Sequence, residues 1–224
     1  MVKKVVFWGA AGQARVLREL VSHLGYELVA LFDNSPKVPS PFADVPIYHG
    51  IEGFAQWQTG NSEGNESFLV AIGGSRGRDR VEIHQFLEAN QLRPITAIHP
   101  TAFVAANAHL ASGCQILAHA TVCVDVRMGQ DCIVNTAASV DHESVFGKGV
   151  HLAPGAVVTG CVTVGDYSFI GARAVVLPRV NIGANVIIGA GSVVNKDVPD
   201  GMMTFGNPMR IVHPFRSEAL LTQR

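Results

Sequence analysis

Charge is scarce and evenly balanced in this chain of 224 residues: 17 Lys and Arg face 18 Asp and Glu, and 16% of positions are charged. Such a balance offers no basic footprint for nucleic acid and no cationic face for an anionic membrane, so neither is expected as a partner. Long hydrophobic runs are missing as well; none approaches the ~18 residues that a membrane span needs. Lys3-Lys4 before Val5-Val6-Phe7-Trp8 has the outline of an export signal, but Gly9, Gly12, Gln13 and Arg15 interrupt it at once. Cysteine is sparse. Cys114, Cys123, Cys132 and Cys161 form no C-x-x-C pair and no zinc-type spacing, so they read as reduced thiols and the expected location is cytoplasmic. What the chain does have is apolar mass, 48% of residues. That excludes a disordered tail and suffices for a sizeable core.

The composition changes near residue 95. Residues 1–94 carry 9 Lys and Arg and 10 Asp and Glu, whereas 95–200 carry 5 and 7. The first part reads as a small α/β unit. A buried strand at 5–8 turns through Gly9-Ala10-Ala11-Gly12 into a helix reaching about residue 24, and a second strand at 28–32 ends at Asp33-Asn34. After a proline-rich loop come a short helix at 51–57, a loop at 60–65, a third strand at 68–72 capped by Gly73-Gly74, and a helix at 76–90. Alternating strands and helices predict a parallel sheet.

The second part is an internal repeat. Stepping in sixes from Ile98 through Ile116, Val140, Leu152 and Ile170 to Val194 meets 17 positions, all apolar. With half of all residues apolar, chance gives that on the order of once in 10⁵ trials. Two places earlier runs a second ladder of small or β-branched residues, from Thr96 through Cys114, Ala138 and Ala156 to Ser192. Residues two apart in a strand face the same way, so each six-residue unit sends one small and one larger side chain inward. Glycines at 129, 147, 165, 171, 183 and 189 follow the aliphatic residue, where a sharp corner favours a residue without Cβ. Cys114 and Cys132 fall in the inward ladder and read as core thiols; Trp8 and Trp57 read as packing residues.

Val164-Gly165, Ile170-Gly171, Ile182-Gly183 and Ile188-Gly189 resemble the hexapeptide repeat of left-handed parallel β-helix proteins, three units to a triangular coil. The resemblance implies a fold in which an N-terminal Rossmann-like α/β domain (1–94) precedes a left-handed β-helix domain (95–213) and a C-terminal tail (214–224). The handedness comes from the family, because parallel strands otherwise connect right-handed.

An interior of Val, Ile and Ala has no chemistry, so the outward ionisable residues matter. They are densest in Asn135-Thr136 and in Asp141-His142-Glu143-Ser144, followed by His151 and Gly155-Ala156. Taken alone, His142 is a surface histidine at a corner. A neighbouring carboxylate favours the imidazolium and raises basicity, which suits a general base. This stretch resembles the motif of NeuD-type sugar acetyltransferases, a family that includes UDP-4-amino-sugar N-acetyltransferases, perosamine N-acetyltransferases and sialic acid O-acetyltransferases.

The resemblance makes His142 the base, Glu143 the acid that tunes it, and His151 the residue near the acetyl-CoA thioester carbonyl, positioning or polarising it. It places the acetyl-CoA chain along Ala172 and Ala190, and the nucleotide sugar at Gly9, Ala11, Gly12, Gln13, Asp33, Asn34 and Gly73. Gln13, Ala14 and Asn34 stand where the family usually has His, Gly and an acid. Phe205-Gly206-Asn207-Pro208 resembles the family's closing Gly-x-Pro signature or is an ordinary turn. The implied activity is acetyl-CoA-dependent acetylation of a nucleotide-linked amino sugar, with the 4-amino group favoured over O-acetylation. No metal is required, and the implied assembly is a homotrimer with sites between subunits.

Two other readings stay open. A γ-class carbonic anhydrase-like metalloenzyme would join His119, His142 and His151 around zinc or ferrous iron, shared across a subunit interface. A non-catalytic nucleotide sensor would use Gly9-Ala10-Ala11-Gly12 with Asp33, in a sheet of only three or four strands. Arg76, Arg78 and Arg80 either steer a diphosphate or form a solvated helix start.

Overall fold

The structure is a computed structural model that describes residues 2–60 and 66–214. The loop expected at 60–65 and the tail at 214–224 lie outside the described residues, apart from Gly60 and Pro214. The first part folds as β1 (Lys3–Trp8), α1 (Gly12–His23), β2 (Tyr26–Asp33), β3 (Ile47–His49), α2 (Gly50–Gly60), β4 (Ser67–Val70), α3 (Gly77–Ala89) and β5 (Arg93–Pro94). The strands form a parallel sheet in the order β3-β2-β1-β4-β5. Val5, Val6, Phe7 and Trp8 are all buried, as an unbroken apolar run must be when both faces of a parallel sheet are covered. On α1, Ala14, Leu17, Leu20 and Val21 make one apolar stripe toward the sheet.

The sheet has five strands rather than three or four. The two extra strands are three and two residues long, too short for any periodicity to show. Trp8 and Trp57 pack with Phe32 and Phe54 in one aromatic cluster.

From Ala97 onward, two-residue strands pair with strands 18 residues along the chain and build three parallel sheets around a triangular interior. Among the described residues, the aliphatic ladder from Ile116 to Val194 is buried in one continuous core. Ile98, Val104 and Leu110, at the open first coil, pack half-buried against it. Serines of the small ladder are buried and bonded: Ser144 Oγ donates to the Thr159 carbonyl at 3.0 Å, and Ser168 Oγ to that of Gly183 at 2.7 Å. Cys114 and Cys132 are buried free thiols, and burial pushes Cys132 well above the usual thiol range.

The corners revise one expectation. The glycines at 129, 147, 165, 171, 183 and 189 are not in the left-handed region. That region belongs to the residue two places later, at every sixth position from Gly113 through Glu143 (φ 58°) and Cys161 (φ 60°) to Gly191. Glycine follows the aliphatic residue because the next coil lies directly against it: a Cβ on Gly165 would sit 2.5 Å from the Ala184 nitrogen, and one on Gly171 2.6 Å from that of Ala190.

The three faces differ outward. The first, with Ala97, Gln115, Ile133 and His151, is buried under the α/β part, and Ile133 and Leu117 belong to the α/β core. The second presents Phe103, Val157, Val175 and Val193, each partly exposed. The third presents His109, Arg127, Thr163 and Asn181, all exposed. Met202–Phe205 and Arg210–Pro214 extend the first face beyond the last coil. Among the described residues, no helix is long and apolar enough to cross a membrane.

Candidate active site

The chain order reverses between β1 and β4, and ligands of open α/β sheets bind at such a switch, beyond the carboxyl ends of the strands. Gly9, Ala11, Gly12, Gln13, Asp33, Asn34 and Gly73 all gather there. Gly9 is required: its φ is 110°, and a Cβ would lie 2.4 Å from the Ala71 carbonyl oxygen. At Gly12 a Cβ would meet nothing within 4 Å, so the start of α1 stays open. That helix has no side-chain cap and no acid in its first turn, which suits an anionic ligand.

Asp33 braces this loop, accepting from the Ala10 N–H at 3.0 Å and from the Ser35 N–H at 2.9 Å. Asn34 Oδ1 accepts from the Trp8 indole at 3.2 Å. A wide depression lined by Lys3, Lys4, Tyr26, Glu66 and Arg93 sits at the opposite ends of the same strands and holds none of the expected residues.

Sequence reasoning missed how tightly this loop is tied to the coil. The carbonyls of Val70, Ile72 and Gly74 are each held by a side chain: Gln115 Nε2 at 2.8 Å, Arg80 at 3.1 Å and His151 Nδ1 at 3.0 Å. Gln115 in turn accepts from Gln13 Nε2 at 2.7 Å. Arg80 is neither a diphosphate contact nor solvated. It is fully buried, donates also to the carbonyls of Asp131 (3.1 Å) and Gly149 (2.7 Å), and burial lowers it to about 10. Arg76 pairs with Asp79, and Arg78 lies over Tyr167. The signal that could have found the tie is the 36-residue step from Gln115 to His151, two coils along one face; nothing in the sequence marks Arg80.

His151 is 4% exposed and edge-on to Phe169. A carbonyl can only accept, so Nδ1 carries the proton toward Gly74. Nε2 therefore accepts from Asn135 Nδ2 at 3.1 Å. Burial, with Arg80 adding to it, lowers this imidazole to about 3. It is neutral, and both ring nitrogens are already engaged. Polarising a carbonyl needs a donor, so the expected polarising part of its role does not fit this geometry.

His142 lies at the corner between the second and third faces, with 48% of its side chain exposed. Its N–H is capped by Asp141 Oδ1 at 2.8 Å. Nδ1 donates to Glu143 Oε2 at 3.0 Å, which leaves the lone pair on Nε2. The ring rests on Gly160, one coil on, where a Cβ would lie 2.4 Å from Nε2. Gly160 is a further site residue that the sequence reading passed over; the 18-residue step from His142 was the available signal.

Ala172 and Ala190 stack at the corner between the first and second faces, with the Gly191 N–H donating to the Ala172 carbonyl at 2.9 Å. In a triangular coil, the corner of His142 lies across the interior from the first face. One chain thus brings together the nucleotide-loop residues with His151, and His142 with Glu143, but does not join the two groups. Nor does it gather His119, His142 and His151. Phe205-Gly206-Asn207-Pro208 forms the turn between the last two strands, with a cis peptide before Pro208.

A family model described as the PglD N-terminal domain matches residues 4–82, and one described as bacterial transferase hexapeptide (six repeats) matches 161–196. GDP-perosamine N-acetyltransferase of Escherichia coli O157:H7 is 36% identical over 149 residues, 64% of this chain and 66% of that protein. The Bacillus subtilis protein YvoF is 50% identical over 54 residues, 24% of this chain and 31% of its own length. The matched stretches thus span less than two thirds of both curated relatives. Among solved structures, PerB from Caulobacter crescentus in complex with CoA and GDP-perosamine has a TM-score of 0.85 at 31% identity, over 95% of this chain and 99% of that one. The acetyltransferase domain of PglB from Neisseria gonorrhoeae in complex with acetyl coenzyme A has a TM-score of 0.83 at 30% identity, over 94% and 99%.

Proposed function

The chain belongs to the NeuD-type sugar acetyltransferases of the hexapeptide-repeat superfamily, and on that premise we propose that it moves the acetyl group of acetyl-CoA to the amine of a nucleotide-linked amino sugar. The observation that carries the chemistry is the His142–Glu143 pair. With its Nδ1 proton held by the carboxylate, the imidazole offers Nε2 as base at an exposed corner. The amine nitrogen attacks the thioester carbonyl and a C–N bond forms. Nε2 takes the amine proton and returns it to the departing CoA thiolate as the C–S bond breaks. The Gly160 N–H, without a partner among the described residues, is available to the oxygen that gains charge.

Gly9, Ala11, Gly12, Gln13, Asp33, Asn34 and Gly73 hold the nucleotide sugar, its diphosphate meeting the uncapped start of α1. Acetyl-CoA runs past Ala172 and Ala190, and His151 acts there as a positioning residue, its ring fixed by Gly74 and Asn135. Because these groups sit apart in one chain, the complete site lies between copies, in a homotrimer. The second face supports this: it separates the His142 corner from the Ala172 corner and exposes Val157, Val175, Val193 and Phe103, the last at 58%. The free thiols suit a cytoplasmic protein.

The test is thiol release from acetyl-CoA with UDP-, GDP-, dTDP- and CMP-linked sugars, each with a 4-amino or 4-hydroxy group, beside His142→Ala. Turnover with one 4-amino sugar, reduced about 1,000-fold in the variant, is expected for a lost general base. Turnover with only hydroxyl sugars would replace N- by O-acetylation. Full turnover in His142→Ala would remove the base.

A further inference from the structure

The His142 corner carries a thiol that the acid–base chemistry leaves unused. Cys161 follows Glu143 by one coil, and its N–H donates to the His142 carbonyl at 2.9 Å. Its Sγ faces Glu143 Oε2 at 3.7 Å, the same oxygen that lies 3.0 Å from His142 Nδ1. One ligand atom from each of the three residues lies within 4.8 Å of the other two.

The backbone around these atoms is well fixed. Glu143 and Cys161 occupy the repeating left-handed position of the corners, and each is bonded to the preceding coil. Gly160 gives the imidazole a seat, with Nδ1 toward the carboxylate. Imidazole nitrogen, carboxylate oxygen and thiolate sulfur are the donor types that select zinc-like ions over magnesium or calcium. Around such an ion, bonds of about 2.0–2.3 Å put ligand atoms roughly 3–4 Å apart, so small side-chain rotations complete the set. The other such cluster among the described residues, Glu19, His23 and His99, has no thiol.

We propose that His142, Glu143 and Cys161 form a binding site for a soft divalent cation of the zinc type, and that its occupancy switches transfer off. Binding stands on the geometry alone; the switch rests on the reading of His142 as base. The ion displaces the thiol proton to solvent, one per ion bound, and takes Nδ1 and the carboxylate. The single proton of the neutral imidazole then resides on Nε2, which has no lone pair left for the substrate amine. The fourth position of the ion is left to water.

The probe is Co²⁺, whose bond to a thiolate gives an intense charge-transfer absorption, added to the reduced full-length protein. One equivalent is expected to raise that band with release of one proton. Zn²⁺ should displace it, Cys161→Ser and Cys161→Ala should abolish it, and Cys123→Ser should keep it. Cys123 lies on the same edge beside Asp141, outside the three-atom set. Cobalt bound without the band, or a band intact in both folded Cys161 variants, would overturn the site.

The switch is read separately. Zn²⁺ should stop thiol release in wild type, while Cys161→Ser, with metal-free activity like wild type, should need at least about tenfold more. Equal inhibition of both proteins would overturn the switch. A band that behaves as expected in a protein that acetylates nothing would uphold the metal site and remove the transferase reading instead.

Discussion

His142 and His151 stand nine residues apart in one coil, on opposite sides of it, and the two sides treat the same side chain in contrary ways. On the docked side, His151 is buried, both ring nitrogens are occupied by Gly74 and Asn135, and burial holds it neutral. At the far corner, His142 has one nitrogen fixed by Glu143 and the other free. Burial has turned one histidine into a fastener that joins two folding units, and exposure with one bound carboxylate makes the other a reagent. Residue type does not separate them; the face of the coil does.

The comparison breaks most severely if the docked side is not a fastener. Arg80→Met keeps the bulk but strips donors from the carbonyls of Ile72, Asp131 and Gly149. Leaving such groups buried and unpaired is expected to cost about 3 kcal/mol, read as a lower denaturant midpoint; an unchanged midpoint would mean the α/β part docks by apolar contact alone.

A pH series sharpens it next. His151 titrates at about 3 when folded and near 6.5 when unfolded, so acid favours the unfolded chain, which binds the proton first. The stabilisation is complete above about 6.5 and is lost as pH falls through the window toward 3. Between pH 7 and 5, wild type is expected to lose about 2 kcal/mol more than His151→Gln. Parallel pH curves for the two proteins would show that His151 is not buried neutral.

The smallest effect probes the far corner. Gly160→Ala puts a methyl under the His142 ring, which can swing outward at little cost in stability. The expectation is about a tenfold fall in kcat, worth 1.4 kcal/mol, with the melting temperature nearly unmoved. An unchanged kcat would show that the ring does not need its seat.

Much of this architecture was legible before any coordinates. The six-residue ladders marked every coil because the interior is one side chain wide; from Cys114 to Val194 their only polar residues are serines. The Gly9 turn announced the sheet's switch point because only glycine can take a φ of 110° against the Ala71 carbonyl. The bonds that join the units were not legible. Gln13 to Gln115 and Arg80 to Gly149 span 102 and 69 residues, and each depends on how one rigid body sits on the other, which no local pattern encodes. The seat of His142 was half visible: its 18-residue step follows from the repeat, but the meaning of a glycine there needs the ring above it.

The 18-residue pairing also sets the grain in which such a chain can change length. Removing or duplicating 18 residues takes out or adds a whole coil and leaves every later side chain on its own face. Removing six turns everything downstream by one face, so a loss between Ile133 and His151 would carry that histidine away from the Gly74 carbonyl while each ladder still reads as apolar. Gene segments of this kind therefore tolerate insertions and deletions in one size only, and a variant can keep a sound core while losing its site entirely.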